Sequence, residues 1–302
     1  MIAYEGTSKR FGDETAVDSL SMRVERGEAV ALLGPNGSGK TTTLKMAAGL
    51  IRPSDGTVTV GEPPLPPWTP AARRAISFLP QRVAFPEALT GREVVEFYRR
   101  LRGMPVGRSQ AVLRFASLNG AGERLVGTYS GGMIQRLGLA VAMLPESDVL
   151  LLDEPTAALD PDGLCAFYAV VEERQASGRT ILFTSHQVGD VERLADRFVV
   201  LVHGRVVAGL TQAELRDRLS ERGVMRLRVA TVSTEMVEAV RRVAPTATLE
   251  GSELIVPGPA SLRPVVLDVV RTAGGEVRGL TAEDGRLDAL YRDLVAGTGG
   301  TV

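Results

Sequence analysis

The stretch AVALLGPNGSGKTT, residues 29–42, decides the fold of this chain. Its first five residues are apolar and have the length of one buried strand, and residues 34–41 fit the pattern G-x-x-x-x-G-K-[ST]. A helical pattern follows over Thr41 to Leu50. Since glycines let backbone N–H groups surround an anion at the N-terminus of a helix, this order of strand, loop and helix predicts a phosphate-binding loop.

The positions of this loop have separate expected roles. Lys40 is expected to bridge the β- and γ-phosphates of a nucleotide and to act in catalysis, and the Thr41 hydroxyl is expected to bind Mg²⁺. The alternative is a glycine-rich turn that only starts a helix, and the strand before the loop argues against it. We expect the nucleotide to contact Gly34, Pro35, Asn36, Gly37, Ser38, Gly39, Lys40, Thr41 and Thr42.

A second apolar run, Val149 to Leu152, ends in two carboxylates, Asp153 and Glu154. A buried parallel strand explains the run, and ligands bind at the carboxyl ends of strands in such sheets. Asp153 is therefore expected to hold Mg²⁺, and Glu154 is a candidate general base for an attacking water. Taken alone, this strand end is as often simply solvated as catalytic. Together with the loop at 34–41, it favours nucleotide hydrolysis.

Short apolar runs alternate with helical patterns over residues 1–220, which is typical of α/β architecture with a mostly parallel sheet. Strands are predicted over Ala29 to Leu33, Ile76 to Leu79, Val149 to Leu152, Thr180 to Thr184 and Phe198 to Leu201. Helices are predicted over Thr41 to Leu50, Arg92 to Leu101, Gly131 to Leu144, Gly163 to Ser177 and Val188 to Asp196. The proline-rich run Glu62 to Pro70 predicts a surface loop.

The pattern changes near residue 221, and residues 221–302 predict a small α+β domain. Met225, Leu227 and Val229 alternate with arginines as in a half-buried strand, and a further strand is predicted at Leu254 to Val256. Helical spacing is predicted through Met236, Val240 and Val243, over Leu262 to Val270, and through Leu287, Leu290, Tyr291 and Leu294. No constellation of metal ligands or nucleophiles occurs in this part, so we expect an accessory role.

Composition limits the classes of function. Lys and Arg number 35 against 36 Asp and Glu, and the net charge of −1 argues against binding nucleic acid or anionic lipid through charge alone. One cysteine, Cys165, cannot form a disulfide within the chain, and no secretory leader is recognisable, which favours the reducing cytosol. No apolar run approaches the ~20 residues of a spanning helix, so a membrane role is expected to come through a partner.

A third motif, Tyr129-Ser130-Gly131-Gly132-Met133, opens a predicted helix just before the 149–154 strand. Its hydroxyl and N–H groups predict a second anion site at a helix N-terminus. A single chain with one magnesium site has no obvious use for two γ-phosphate sites, whereas a dimer in which each chain completes the other's nucleotide site does. The alternative is a capped helix after a flexible turn.

In the order and spacing of these motifs, residues 1 to about 220 resemble the ATP-binding cassette family, the ATPase subunits of ABC transporters. The resemblance implies a P-loop NTPase fold of the ABC type, with a helical subdomain over about 82–145. It also implies ATP and Mg²⁺ as cofactors and a homodimer that encloses two MgATP. A separate transmembrane permease subunit is expected to dock near Gln81 to Leu118 and to keep the chain cytoplasmic, on the inner face of the membrane.

The same resemblance assigns roles to residues outside the first two motifs. Phe11, in Lys9-Arg10-Phe11-Gly12, matches the aromatic residue that stacks on adenine, although a core aromatic is the alternative. Gln81 matches the glutamine that contacts Mg²⁺ and the attacking water, and His186 matches the histidine that contacts the γ-phosphate. We therefore expect Gln81 and His186 to be catalytic, although His186 has the alternative of a core histidine.

Two further segments are expected to act across the dimer. Ser130, Gly131 and Gly132 match the family signature, which binds the ATP of the opposite subunit. Asp160 belongs to the loop that crosses the dimer interface. The departures are mild: Tyr129 and Met133 replace the common Leu and Gln of the signature, and Ala158 stands where Ser is frequent.

The leading hypothesis is an export-type transporter ATPase. Within the family, the run at 79–103 and the small C-terminal domain resemble the ATPase that serves copper-site maturation of nitrous-oxide reductase. A soluble cassette protein acting on ribosomes or DNA ends is the main alternative, but such relatives usually carry two cassettes or very long coiled coils. A small-molecule kinase would leave Ser130 to Gly132 and His186 without a role.

Overall fold

The computed structural model describes residues 1–118, 120–157, 159–185, 188–283 and 285. The chain divides into two compact units, Met1–Gly209 and Leu210–Val302. This division falls earlier than the predicted boundary after residue 220, because the helix Gln212–Ser220 groups with the second unit. Across the described ranges, no helix combines the length and the apolar character that a membrane crossing needs.

The first unit is built on a six-stranded sheet and a smaller three-stranded one. Their strands are β1 Ile2–Phe11, β2 Glu14–Val24, β3 Ala29–Leu33, β4 Asp55–Val60, β5 Ile76–Leu79, β6 Val149–Asp153, β7 Thr180–Thr184, β8 Arg197–Val202 and β9 Arg205–Thr211. The large sheet has the order β5-β6-β7-β3-β8-β9, and its neighbours from β5 to β8 pair in parallel. The predicted parallel sheet is therefore confirmed. The central strands β3, β6 and β7 are buried along their whole length.

The antiparallel sheet β2-β1-β4 was missed by the sequence analysis. Its strands mix buried and exposed residues with several charged ones, so they contain no continuous apolar run. This sheet brings two segments to the phosphate-binding loop: the end of β1 at Phe11, and the part of β2 around Ala16.

The helices of the first unit are α1 Lys40–Ala47, α2 Pro70–Ala75, α3 Gly91–Leu101, α4 Arg108–Phe115, α5 Gly131–Met143, α6 Pro161–Ala176 and α7 Val188–Leu194. Helices α3, α4 and α5 form a helical subdomain around its own apolar core, which includes Val94, Val112 and Leu137. Helix α3 starts with a capping box between Thr90 and Glu93, which satisfies two backbone N–H groups at the helix start. Helix α4 was not predicted.

The second unit consists of α8 Gln212–Ser220, β10 Val224–Val229, α9 Thr234–Val243, β11 Thr248–Glu250, β12 Glu253–Pro257, α10 Leu262–Thr272 and β13 Val277–Glu283. The four strands pair antiparallel in the order β11-β12-β10-β13, so β10 to β13 follow the β-α-β-β-α-β pattern of a ferredoxin-like fold. The predicted α+β class is confirmed. The predicted last helix, around Leu287 to Leu294, lies outside the described residues.

Candidate functional site

The phosphate-binding loop connects β3 to α1, as the motif predicts, and α1 begins at Lys40. Gly34 and Gly39 have φ angles of 148° and 96°, which L side chains rarely adopt. A Cβ at Gly34 would lie 2.1 Å from the carbonyl oxygen of Leu201, and one at Gly39 would lie 2.4 Å from that of Ala16. Backbone therefore packs so closely around the loop that only glycine fits at these two positions.

The Lys40 side chain is held inside this loop. It is only 7% exposed, and its ammonium donates hydrogen bonds to the carbonyl oxygens of Gly34 (2.7 Å) and Pro35 (3.0 Å). Burial lowers the pKa of Lys40, and the nearby carboxylates of Glu154 and Asp153 oppose this shift because they favour the charged ammonium. An ammonium has three donors, so these two bonds leave one for a phosphate oxygen.

A cavity of about 430 Å³ opens on the loop and brings together most of the residues predicted to contact the nucleotide, although Gly34 and Pro35 are not part of its lining. Its lining consists of Phe11, Glu14, Ala16, Asn36, Gly37, Ser38, Gly39, Lys40, Thr41, Thr42, Gln81 and Glu154. Residues far apart in the sequence, from Phe11 to Glu154, thus share one space beside the loop. Glu14 and Ala16 were not predicted, because they lie in the antiparallel sheet that the sequence analysis missed.

Asp153 and Glu154, at the end of β6, are both bound by Thr184, the last residue of the neighbouring strand β7. The Thr184 hydroxyl donates to Asp153 Oδ1 at 2.8 Å and accepts a hydrogen bond from the backbone N–H of Glu154 at 2.8 Å. Thr184 was missed as a site residue, although a polar residue at the end of a buried strand beside β6 was a usable signal. Glu154 has a φ of 49°, a left-handed conformation that costs of order 1–3 kcal/mol and is typical of functional sites.

Two buried polar atoms at this edge of the sheet suit a magnesium–phosphate ligand. Within the described part of the chain, Asp153 Oδ2 and Ser38 Oγ are buried without a hydrogen-bond partner. Burying such atoms unpaired is costly, and a bound metal or phosphate would compensate for it. Mg²⁺ usually takes one or two carboxylates together with substrate phosphates and waters, which fits Asp153 with the hydroxyl of Thr41. These residues would hold the ion, and bound Mg²⁺ would neutralise phosphate charge.

The signature segment lies at the start of α5 in the helical subdomain. Ser130 is the N-cap residue, and its hydroxyl accepts a hydrogen bond from the backbone N–H of Met133 at 3.3 Å. Ser130 and Gly131 are exposed, and none of Ser130 to Gly132 belongs to the lining of the nucleotide cavity. Tyr129 is buried instead, and its hydroxyl donates to the carbonyl oxygen of Ala121 at 2.7 Å. The tyrosine therefore holds the signature against the subdomain core.

Asp160 caps the next helix, α6, by accepting a hydrogen bond from the backbone N–H of Gly163 at 2.8 Å. Its other carboxylate oxygen accepts from the Arg136 guanidinium at 3.2 Å, which ties this loop to α5. Arg136 was not predicted as a site residue. His186 and Ala158 lie outside the described residues.

Phe11 is half exposed, which rules out the alternative of a core aromatic. Its ring lines the cavity, and the Lys9 ammonium lies 5.0 Å from the ring centroid. We expect Phe11→Ala to weaken ATP binding about tenfold, because stacking of a base on an aromatic ring contributes about 1–3 kcal/mol. Titration calorimetry with ATP measures this.

Two controls isolate the adenine contact at Phe11. Binding of inorganic tripolyphosphate, which has no base, should stay within about twofold of the parent. Phe97→Ala removes a ring of similar exposure outside the cavity and should not change ATP affinity. An unaltered ATP affinity in Phe11→Ala would contradict stacking on the base.

Comparisons with known proteins show what this chain is similar to. Residues 17–157, which contain the loop and the β6 carboxylates, match the family model described as ABC transporter. The chain is 35% identical to the daunorubicin resistance ATP-binding protein DrrA3 of Streptomyces coeruleorubidus, over 94% of this chain and 90% of that protein. It is 41% identical to the Nod factor export ATP-binding protein I of Burkholderia lata, over 68% of this chain and 69% of that protein.

A solved structure resembles most of this chain in fold. It is the dimeric, post-hydrolysis state of the ATP-binding cassette MJ0796 bound to ADP and phosphate, with a TM-score of 0.65 at 24% identity. The match covers 70% of this chain and 99% of that one.

Proposed function

This chain belongs to the ABC transporter family as an ATP-hydrolysing subunit, and we propose that it works as a homodimer that drives export through a separate membrane-spanning partner. In this proposal Lys40, Gln81, Glu154 and His186 act on ATP bound at the loop of their own chain. Thr41, Gln81 and Asp153 are the proposed magnesium residues.

The proposed dimer rests on one observation: the signature segment, Ser130 to Gly132, does not line the nucleotide cavity of its own chain. The cavity is lined by the phosphate-binding loop, Phe11, Gln81 and Glu154, and the exposed N-terminus of α5 at Ser130 takes no part in it. A helix N-terminus with exposed N–H groups attracts an anion, and a second copy would supply that anion as its γ-phosphate. Two copies arranged head to tail would complete two such sites at once.

A groove on the first unit supports a proposed docking site for the membrane partner. It has a volume of about 350 Å³ and is lined by Ala48, Gly49, Leu50, Arg73, Ile76, Phe78 and Arg102. Leu50 is 60% exposed, and the Arg102 guanidinium donates to the backbone carbonyls of Arg73 and Ile76. An apolar anchor position with a basic rim suits a short amphipathic helix from a partner.

Helix α3 adds exposed apolar residues within the predicted docking segment. Phe97 and Leu101 are 57% and 67% exposed, and their spacing of four residues puts them on one face of the helix. Val94 and Val95 face the core of the subdomain instead. Since large apolar side chains on one exposed helix face are typical of interaction surfaces, these two residues support docking within the predicted segment Gln81 to Leu118.

The name of one relative favours export. That relative is named for Nod factor export, and the other is named for daunorubicin resistance and matches nearly the whole chain, including the second unit. A role in nitrous-oxide reductase maturation remains a narrower prediction that neither relative addresses. The soluble alternative, a cassette ATPase with a non-membrane partner, predicts that the chain stays out of the membrane fraction in its own host.

The docking proposal is tested by placing a charge in the groove. We expect Leu50→Glu to abolish recovery of the chain with the membrane fraction and with an integral membrane subunit, while ATP hydrolysis by the purified chain stays within about twofold. Burying an unpaired carboxylate at an apolar contact is unfavourable by several kcal/mol, which explains the expected loss. Pelleting of washed membranes, followed by mass spectrometry of the purified complex, measures this.

Val206→Glu is the matched control, because Val206 is also an exposed apolar residue of the first unit but does not line the groove. It should behave like the parent chain. Normal recovery of Leu50→Glu with the membrane subunit would show that the groove is not the docking site. A parent chain that never pellets with membranes would favour the soluble alternative.

A further inference from the structure

Asp190 is a buried carboxylate that none of the sequence motifs includes. It lies in the short helix α7 and is 1% exposed. Three hydroxyl groups donate hydrogen bonds to it: Thr156 Oγ1 at 2.5 Å and Ser185 Oγ at 2.7 Å bind Oδ2, and the Tyr168 hydroxyl binds Oδ1 at 2.5 Å. These donors compensate for burying the carboxylate, and they connect it to three separate segments.

Each donor belongs to a segment that carries a proposed site residue. Thr156 follows Glu154 by two residues, and Ser185 directly precedes His186 in the sequence. The hydrogen bond from Ser185 to Asp190 therefore fixes Ser185, the last described residue before His186. Tyr168 lies on α6, the helix that begins after its N-cap Asp160.

The Tyr168 side chain packs against Arg193, which is bound in turn by Glu172. The Arg193 guanidinium lies 4.5 Å from the centroid of the Tyr168 ring, and Arg193 Nε donates to Glu172 at 2.7 Å. Burial, followed by the hydrogen bond to Asp190, raises the pKa of Tyr168, so the phenol stays a neutral donor over the working pH range. The hydrogen bond from Tyr168 therefore also anchors Asp190 to α6.

We propose that Asp190 is a positioning residue for ATP hydrolysis, which holds Thr156, two residues after Glu154, in register with Ser185, the residue that follows β7. This role rests on the proposed ATPase function. Asp190 does not touch the nucleotide cavity, so its effect passes through Thr156 and Ser185. Small displacements of catalytic groups lower rates strongly, and a rigid supporting hydrogen-bond network prevents them.

Asp190→Asn tests this role, since an amide keeps the size but offers one accepting oxygen where the carboxylate has two. We expect kcat for ATP to fall about tenfold to a hundredfold, with KM and the affinity for ATP within about twofold. Nucleotide-binding stoichiometry, measured on the same samples, gives kcat per folded site. Loss of folded protein alone would lower the stoichiometry and leave kcat per site unchanged.

The matched control is Asp196→Asn, because Asp196 is also a carboxylate that ties segments together, accepting from the backbone N–H of Ala29 and from Gln175. It should lower the melting temperature without lowering kcat per site. Thr156→Val removes one donor to Asp190, and the double variant with Asp190→Asn should lower kcat by less than the product of the single effects.

The two possible failures are distinguishable. A parent chain that does not hydrolyse ATP would overturn the proposed function and this role with it. A parent that hydrolyses ATP, together with an Asp190→Asn variant of unchanged kcat per site, would overturn the positioning role alone. Equal losses of kcat in Asp190→Asn and Asp196→Asn would also overturn it, because they would reflect a general effect of losing a structural carboxylate.

Discussion

Glu154→Gln is expected to lower ATP turnover by about 10²- to 10⁴-fold, which is the range that general base catalysis contributes. Glutamine has the shape of glutamate but cannot accept a proton from the attacking water. The substitution leaves the backbone hydrogen bond from Glu154 to Thr184 in place, and the phosphate-binding loop is not altered. We therefore expect ATP affinity to stay within about twofold of the parent.

A second consequence of Glu154→Gln is a trapped dimer. ATP stabilises the closed state only through its higher affinity for that state, and without hydrolysis this preference persists. Size-exclusion chromatography with light scattering, in saturating ATP and Mg²⁺, should show the dimer in the variant. The parent should return to monomer as it consumes ATP, and phosphate release measures turnover in both.

Glu14→Gln is an informative comparison for Glu154→Gln. Among the described residues, Glu14 is the other carboxylate that lines the nucleotide cavity. If Glu14→Gln lost turnover while Glu154→Gln kept it, the base role would move to Glu14. If both kept it, no carboxylate of the cavity would be the base.

Ser130→Arg is expected to abolish ATP-driven dimerisation and to lower turnover by at least about a hundredfold. An arginine at this exposed N-cap removes the hydroxyl and places a bulky side chain where the second copy's phosphate would bind. Losing the cap costs only about 1 kcal/mol, so the chain should stay folded. ATP affinity of the monomer should not change, because Ser130 lies outside the cavity of its own chain.

A mixing experiment tests whether the two copies share their sites. Lys40→Ala inactivates the loop and Ser130→Arg inactivates the signature, so each variant alone should be inactive. A mixed dimer contains one site with both defects and one site with an intact loop and an intact signature. Turnover that reappears on mixing therefore supports sharing between copies, and inactivity at every ratio would contradict it. Ser130→Ala, which lacks the bulk and the charge, should retain more dimerisation than Ser130→Arg.

The parallel sheet was predictable because its strands are continuous apolar runs. The bounds predicted for β3, β5 and β7 agree with the structure, since largely buried parallel strands appear in the sequence as short apolar runs. The antiparallel sheet was not predictable in this way, because β1 and β2 mix buried and exposed residues and contain no continuous apolar run. Phe11 was nevertheless found through the family resemblance.

The parts of the candidate site that form contiguous motifs were predictable from the sequence. The parts that depend on hydrogen bonds between residues far apart in the sequence were not. The loop at 34–41 and the pair Asp153 and Glu154 are each contiguous in the sequence. Thr184 and Asp190 act through hydrogen bonds to residues about 30 positions away, and nothing in the sequence around them identifies those partners. Only the folded sheet brings these groups together.

The left-handed backbone at Glu154 has a consequence for which residue is favoured at this position. Glycine adopts that conformation without penalty, so a mutation to glycine would relieve local strain while removing the carboxylate. Local backbone strain alone therefore favours glycine over glutamate at this position. A carboxylate held in this conformation is therefore explained by its role in turnover rather than by a contribution to stability.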